Sequence, residues 1–113
     1  MTRASSYDLE KGSRNAGTAF LILSSLADGE KHGYALTKDV ESFAHVRLAP
    51  GTLYEALARL ETQGLIEPVA SDDRRRPYRL TANGAAALKE HVDAQVKVLR
   101  ESQRRLSRNW SPA

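Results

Sequence analysis

Apolar residues recur along this chain with two periods, one helical and one alternating. Between residues 48 and 66, Leu53, Leu57 and Leu60 follow Pro50 at threes and fours. That is the one-face spacing of an amphipathic helix whose first turn accepts a residue without an N–H. Gly64 marks its end. With the leucines turned inward, Thr52, Glu55, Ala56 and Arg59 form the outward face and Tyr54 lies beside the apolar stripe. Upstream, Ala16, Ala19, Phe20, Leu23 and Leu26, with Ile22 close by, predict a first helix from Ser13 that Asp28-Gly29 ends. His32-Gly33-Tyr34 then leads into a second short helix carrying Ala35, Leu36, Val40 and Phe43, and His45 to Ala49 connects it to the third.

Beyond Gly64 the pattern changes. Leu65 to Ala70 and Pro77 to Thr81 read as two short strands, separated by Ser71-Asp72-Asp73-Arg74-Arg75-Arg76. A hairpin with a basic rim results. Thr81-Ala82-Asn83-Gly84 has the polar start of a last helix, free of proline from Ala85 to about Arg108. On it Ala85, Val92, Leu99 and Leu106 repeat at heptad spacing, and Leu88, Val96 and Val98 widen the stripe. At about 1.5 Å per residue this helix reaches roughly 35 Å, further than a small three-helix core can cover. Its apolar face therefore calls for a second copy of the chain, paired through Ala85, Leu88, Val92, Val96, Leu99 and Leu106. The expected fold is mainly α with a small β hairpin: a winged helix-turn-helix at 13–81 and a C-terminal dimerisation helix and tail at 82–113, behind a flexible segment at 1–12.

Composition narrows the chemistry. The chain has 113 residues, a net charge of +3 and a pI near 9.4, which fits an anionic partner. It has no cysteine, so neither a disulfide framework nor a thiolate metal site is available. The longest apolar run, Ala19 to Leu23, is too short to span a bilayer and no leader pattern is seen, so a soluble cytoplasmic protein is expected. His32, His45 and His91 are scattered without the spacing of a ligand set, and no metal or cofactor is expected. Of these, His32 suits the start of the second helix. Asp72 and Asp73 adjoin three arginines in a loop, which suits turn formation and charge balance better than acid–base work. No phosphate loop, nucleophile elbow or HExxH sequence occurs, and an enzyme is not expected.

A short helix opened by Pro, Gly and Thr presents free N–H groups, here those of Gly51 to Leu53, to a phosphate or a base edge. Thr52 and Tyr54 each add a hydroxyl for major-groove or phosphate contact. Tyr34 and Lys38 on the second helix are placed to grip flanking backbone, Arg59 adds charge further along, and Arg74, Arg75 and Arg76 at the hairpin tip can neutralise phosphates or enter a minor groove. Competing readings make Tyr34 and Tyr54 core rings and the arginines a solvated loop.

His32-Gly33-Tyr34, Pro50-Gly51-Thr52-Leu53-Tyr54, Leu57, Arg59-Leu60-Glu61, Gly64-Leu65-Ile66, Tyr78-Arg79-Leu80-Thr81 and Gly84 together resemble the PadR-type winged-helix transcriptional regulators, of the short kind with one C-terminal helix. The resemblance runs from about Ala19 to Leu106. Glu55 departs from it, standing where the family often has proline; near phosphates it is repulsive unless it reads a cytosine amino group or pairs with Arg59. What the resemblance implies is a homodimeric repressor whose two modules read the half-sites of a palindromic operator in double-stranded DNA. It also implies a planar or aromatic effector near the dimer interface, for which Trp110 is the candidate aromatic residue, a frayed tail or subunit anchor being its other reading. Alternatives from other classes are a protein-interaction adaptor and a small-molecule sensor on the same scaffold.

Overall fold

The computed structural model describes residues 13–72 and 74–112. Its elements are α1 (Ser13–Leu26), α2 (Gly33–Ala44), α3 (Pro50–Thr62), β1 (Ile66–Pro68), β2 (Tyr78–Leu80) and α4 (Ala82–Asn109). The segment expected to be flexible, 1–12, lies outside the described residues, as do Asp73 and the side chain of Ala16.

The three short helices bring their apolar stripes to one core. Ile22 and Leu23 from α1, Leu36 and Val40 from α2, and Leu57 and Leu60 from α3 are all buried, and Leu65 and Ile66 close the core below them. Removing that much apolar surface from water is what holds these helices, each too short to persist alone. A polar side chain, that of Ser25, is buried with them. Ser25 donates its hydroxyl to Asp39 Oδ2 at 2.7 Å and offers its carbonyl to Lys31 Nζ at 2.6 Å, so the end of α1 is tied to α2 with its polar atoms satisfied.

Two expectations about these helices are corrected. Ala56, expected on the outward face of α3, is only 4% exposed: it sits three residues after Leu53 and four before Leu60, within the inward stripe. Phe43, expected in the core, is 47% exposed, because it stands in the last turn at the margin of the stripe that Gly33, Leu36 and Val40 define.

The hairpin is antiparallel, with Ile66 opposite Leu80, Glu67 opposite Arg79 and Pro68 opposite Tyr78. Its strands are shorter than expected. Beyond the paired residues the Val69 N–H still donates to the Pro77 carbonyl at 2.8 Å and the Thr81 N–H to the Leu65 carbonyl at 3.1 Å, but Pro77 has no N–H to return to Val69. On its other edge β2 is held by a contact without a sequence pattern, a two-bond bridge between the backbones of Lys31 and Tyr78.

α4 begins at Ala82, directly after Thr81. The Thr81 hydroxyl accepts the Gly84 N–H at 3.0 Å and donates to the Gly64 carbonyl at 2.7 Å, so one side chain caps α4 and binds it to the turn that ends α3. Gly84, Ala87 and His91 are buried against the domain, the His91 ring lying 4.7 Å from that of Phe20. Leu88, expected on the pairing stripe, is half-buried and packs partly against this core, on the same side as Gly84 and His91. No described residue after His91 is buried, and α4 runs on past the core for five turns.

Candidate nucleic-acid interface

Three elements converge where the sequence leads to expect DNA contact. α2 starts with His32 as N-cap, its Nδ1 accepting the Ala35 N–H at 3.4 Å. The helix thus opens on a ring that spends one nitrogen on the backbone. Tyr34 follows on the exposed side, 67% accessible, with Lys38 Nζ 5.8 Å from its ring centroid, one turn along. Neither Tyr34 nor Tyr54, which is 58% accessible, is a core ring.

α3 starts behind Ala49, which makes no side-chain cap, and carries Pro50 in its first turn. The Leu53 N–H donates to the Ala49 carbonyl at 2.9 Å, so the expected trio of open donors reduces to Gly51 and Thr52. Both residues are exposed. A bare positive helix end without its own cap accepts an anionic oxygen at small cost. Glu55 is exposed on the same helix, and among the described residues no ion pair joins it to Arg59, which is half-buried in the last turn.

The hairpin supplies the third side. Because β2 is bridged to Lys31, the loop before it is drawn against the start of α2, and Arg74, Arg75 and Arg76 come to face His32, Tyr34 and Tyr54 across a cleft of about 370 Å³. Tyr78 forms part of its floor. Guanidinium groups, phenol hydroxyls and an imidazole in one concave site favour an acceptor-rich anion such as a phosphodiester. At the base of the hairpin, Glu67 accepts from Arg79 Nε at 2.7 Å, and this contact holds the guanidinium pKa above its ordinary value. Arg79 is thereby committed to the hairpin.

Of the residues expected to touch DNA, Tyr34, Tyr54, Arg74, Arg75 and Arg76 thus share one cleft. Lys38 joins them through the Tyr34 ring, while Thr52 and Arg59 stand outside its lining. Sequence reasoning missed Gly33 and Tyr78 as members and Lys31 as the strap. The HGY and YRLT runs held the signal, but only as parts of a resemblance, without a role for each residue. Among the described residues no cluster of His, Asp or Glu could hold a metal ion.

Outside the cleft, Val92, Leu99 and Leu106 are 36%, 61% and 58% exposed along one side of α4, with Ala85 exposed and Val96 half-buried beside them. Trp110 caps the helix end and is 63% exposed. No helix among the described residues is long and apolar enough to cross a membrane.

Residues 22–90 match the transcriptional regulator PadR-like family. A transcriptional regulator of Mycobacterium tuberculosis is 40% identical over 91 residues, covering 78% of this chain and 84% of that protein. An uncharacterized 37.1 kDa protein in a transposon of Streptomyces fradiae is 39% identical over 85 residues; the match takes in 75% of this chain but only 25% of that relative's length. Among solved structures, a transcriptional regulator from Clostridium thermocellum superposes with a TM-score of 0.69 at 26% identity, covering 84% of this chain and 95% of that one.

Proposed function

This chain belongs to the PadR-like family of transcriptional regulators, DNA-binding proteins that are not enzymes, and on that premise we propose that it is a cytoplasmic homodimeric repressor of a palindromic operator. In this reading, residues 13–81 form the DNA-binding unit. Thr52 and Arg59 approach base edges from α3, while Tyr34, Lys38, Tyr54 and Arg74 to Arg76 grip the phosphates on either side. Residues 82–113 pair two copies through Ala85, Val92, Val96, Leu99 and Leu106, with Leu88 at the edge of the seam, and so set the spacing of the half-sites. Repression then needs no catalysis, only occupancy of a promoter.

The observation that carries the reading is the shared cleft. Residues more than forty positions apart in sequence, Tyr34 and Arg76, meet there with Tyr54 between them. A core-packing role would not leave two tyrosines more than half exposed beside three arginines. Release from DNA is assigned to a planar effector that binds near Trp110 and favours a helix spacing unsuited to the operator.

Selection of bound sequences from random duplexes is the direct test. The expected product is a motif with two-fold symmetry, bound with an affinity that falls steeply with salt. Enrichment of no sequence, together with indifference to duplex DNA at low ionic strength, refutes the proposal. Quenching of Trp110 fluorescence by planar aromatic compounds, saturable and relieved by operator, tests the effector.

A further inference from the structure

Gly33 has no conformational reason to be glycine. Its φ is not positive, and it occupies the first position of α2, where any small residue is accepted. The reason is spatial. A Cβ at this position would stand 2.8 Å from the Tyr54 hydroxyl oxygen and 3.3 Å from the ring carbon bearing it, with Leu53 at an ordinary 3.5 Å. The Tyr54 ring therefore lies across the first turn of α2, its hydroxyl end seated in the notch that the missing side chain leaves. Both residues line the cleft that the wing arginines face. Since the obstructed atoms are the free end of an exposed side chain, a methyl group at 33 would swing the ring aside and leave the core undisturbed.

We propose that Gly33 is a positioning residue for DNA binding: it seats the Tyr54 hydroxyl at the wall of the cleft, where a backbone phosphate of the duplex accepts its hydrogen bond. This rests on the reading of the cleft as a DNA contact, and it assigns Tyr54 to backbone grip rather than to base readout. Thr52, outside the cleft on the same helix, is left to face the bases. A neutral hydroxyl releases no counterion, so losing it weakens binding without changing the salt slope, whereas losing an arginine changes both.

The test measures the full-length chain against two labelled duplexes, one of mixed sequence and one recovered by selection, over a range of salt. Gly33→Ala is expected to bind both about tenfold more weakly, the equivalent of one charge-assisted hydrogen bond, with an unaltered slope and a melting temperature at or above that of the parent. Tyr54→Phe should lose a similar factor, and Gly33→Ala added to Tyr54→Phe should lose nothing more. Parental affinity in Gly33→Ala, an equal loss when it is added to Tyr54→Phe, or a lowered melting temperature each overturns the role given to Gly33 while leaving the cleft as a DNA contact. If the parent chain binds neither duplex, the reading beneath it falls as well.

Discussion

At Gly84 the chain comes closer to itself than any side chain allows. A Cβ there would lie 2.0 Å from the Leu65 carbonyl oxygen, and that oxygen cannot retreat because it accepts the Thr81 N–H at 3.1 Å. Unlike the obstruction at Gly33, this one is backbone against backbone. Gly84→Ala must therefore shift the first turn of α4 away from the hairpin, and overpacking of this severity costs about 2–3 kcal/mol. Urea unfolding monitored by circular dichroism should show a midpoint lowered accordingly, and an unchanged midpoint would mean that α4 docks differently. Removal of the neighbouring cap, by Thr81→Val, should cost about 1 kcal/mol through the same measurement, since the Gly84 N–H and Gly64 carbonyl both lose their partner. The two glycines show what residue patterns hide. Both appear in the sequence as parts of family-like runs, yet one makes room for a side chain that moves and the other for a carbonyl that does not.

Elements were legible wherever their own periodicity sufficed. The leucines of α3 gave its inward face, Pro50 its start and Gly64, with φ +77, its end. The place of Ala56 escapes the pattern because a small apolar residue adds little to either face, and the strand lengths escape it because an apolar run does not show that Pro77 has no N–H to return to Val69. What no pattern could supply was the strap between Lys31 and Tyr78, a backbone contact across 47 positions. The arginines of the loop were visible in sequence; that they turn toward Tyr34 and Tyr54 depends on this strap. The free half of α4 depends instead on local charge. Glu101 accepts from Arg104 and Arg105, and these hydrogen bonds hold its pKa below the ordinary 4.5. A lowered carboxylate pKa stabilises the fold above the unfolded value, and that contribution is lost as pH falls through the folded one. Acidification should therefore loosen the helix end below the normal glutamate range. A carboxyl-carbon NMR titration of Glu101 inflecting at or above 4.5 would refute the contact; in Arg104→Ala with Arg105→Ala the inflection should return to the ordinary value.

For the molecule as a whole, the question is what the outer turns of α4 are for. Among the described residues His91 is the last buried one of a helix that continues to Asn109, so the outer turns draw little on the core. Ala85, Val92, Leu99 and Leu106 drift by about 20° per heptad on a straight helix, so a partner following them would wrap with a left-handed twist. Each leucine fully covered in such a seam contributes about 1.5–3 kcal/mol, in both copies. Because Leu99 and Leu106 are 61% and 58% exposed, replacing both by Glu leaves the described core untouched. It also sets carboxylates against one another in a dimer paired through this stripe. Circular dichroism should then be unchanged while sedimentation moves from dimer to monomer. On DNA the two consequences separate. A half-site duplex engages one module and should bind parent and variant alike. A symmetric duplex engages two modules only if they are linked, and losing the link removes an avidity of about a hundredfold or more. Equal weakening on both duplexes would instead put the leucines in the DNA contact itself, and a variant that still sediments as a dimer would move the seam to another face of the molecule.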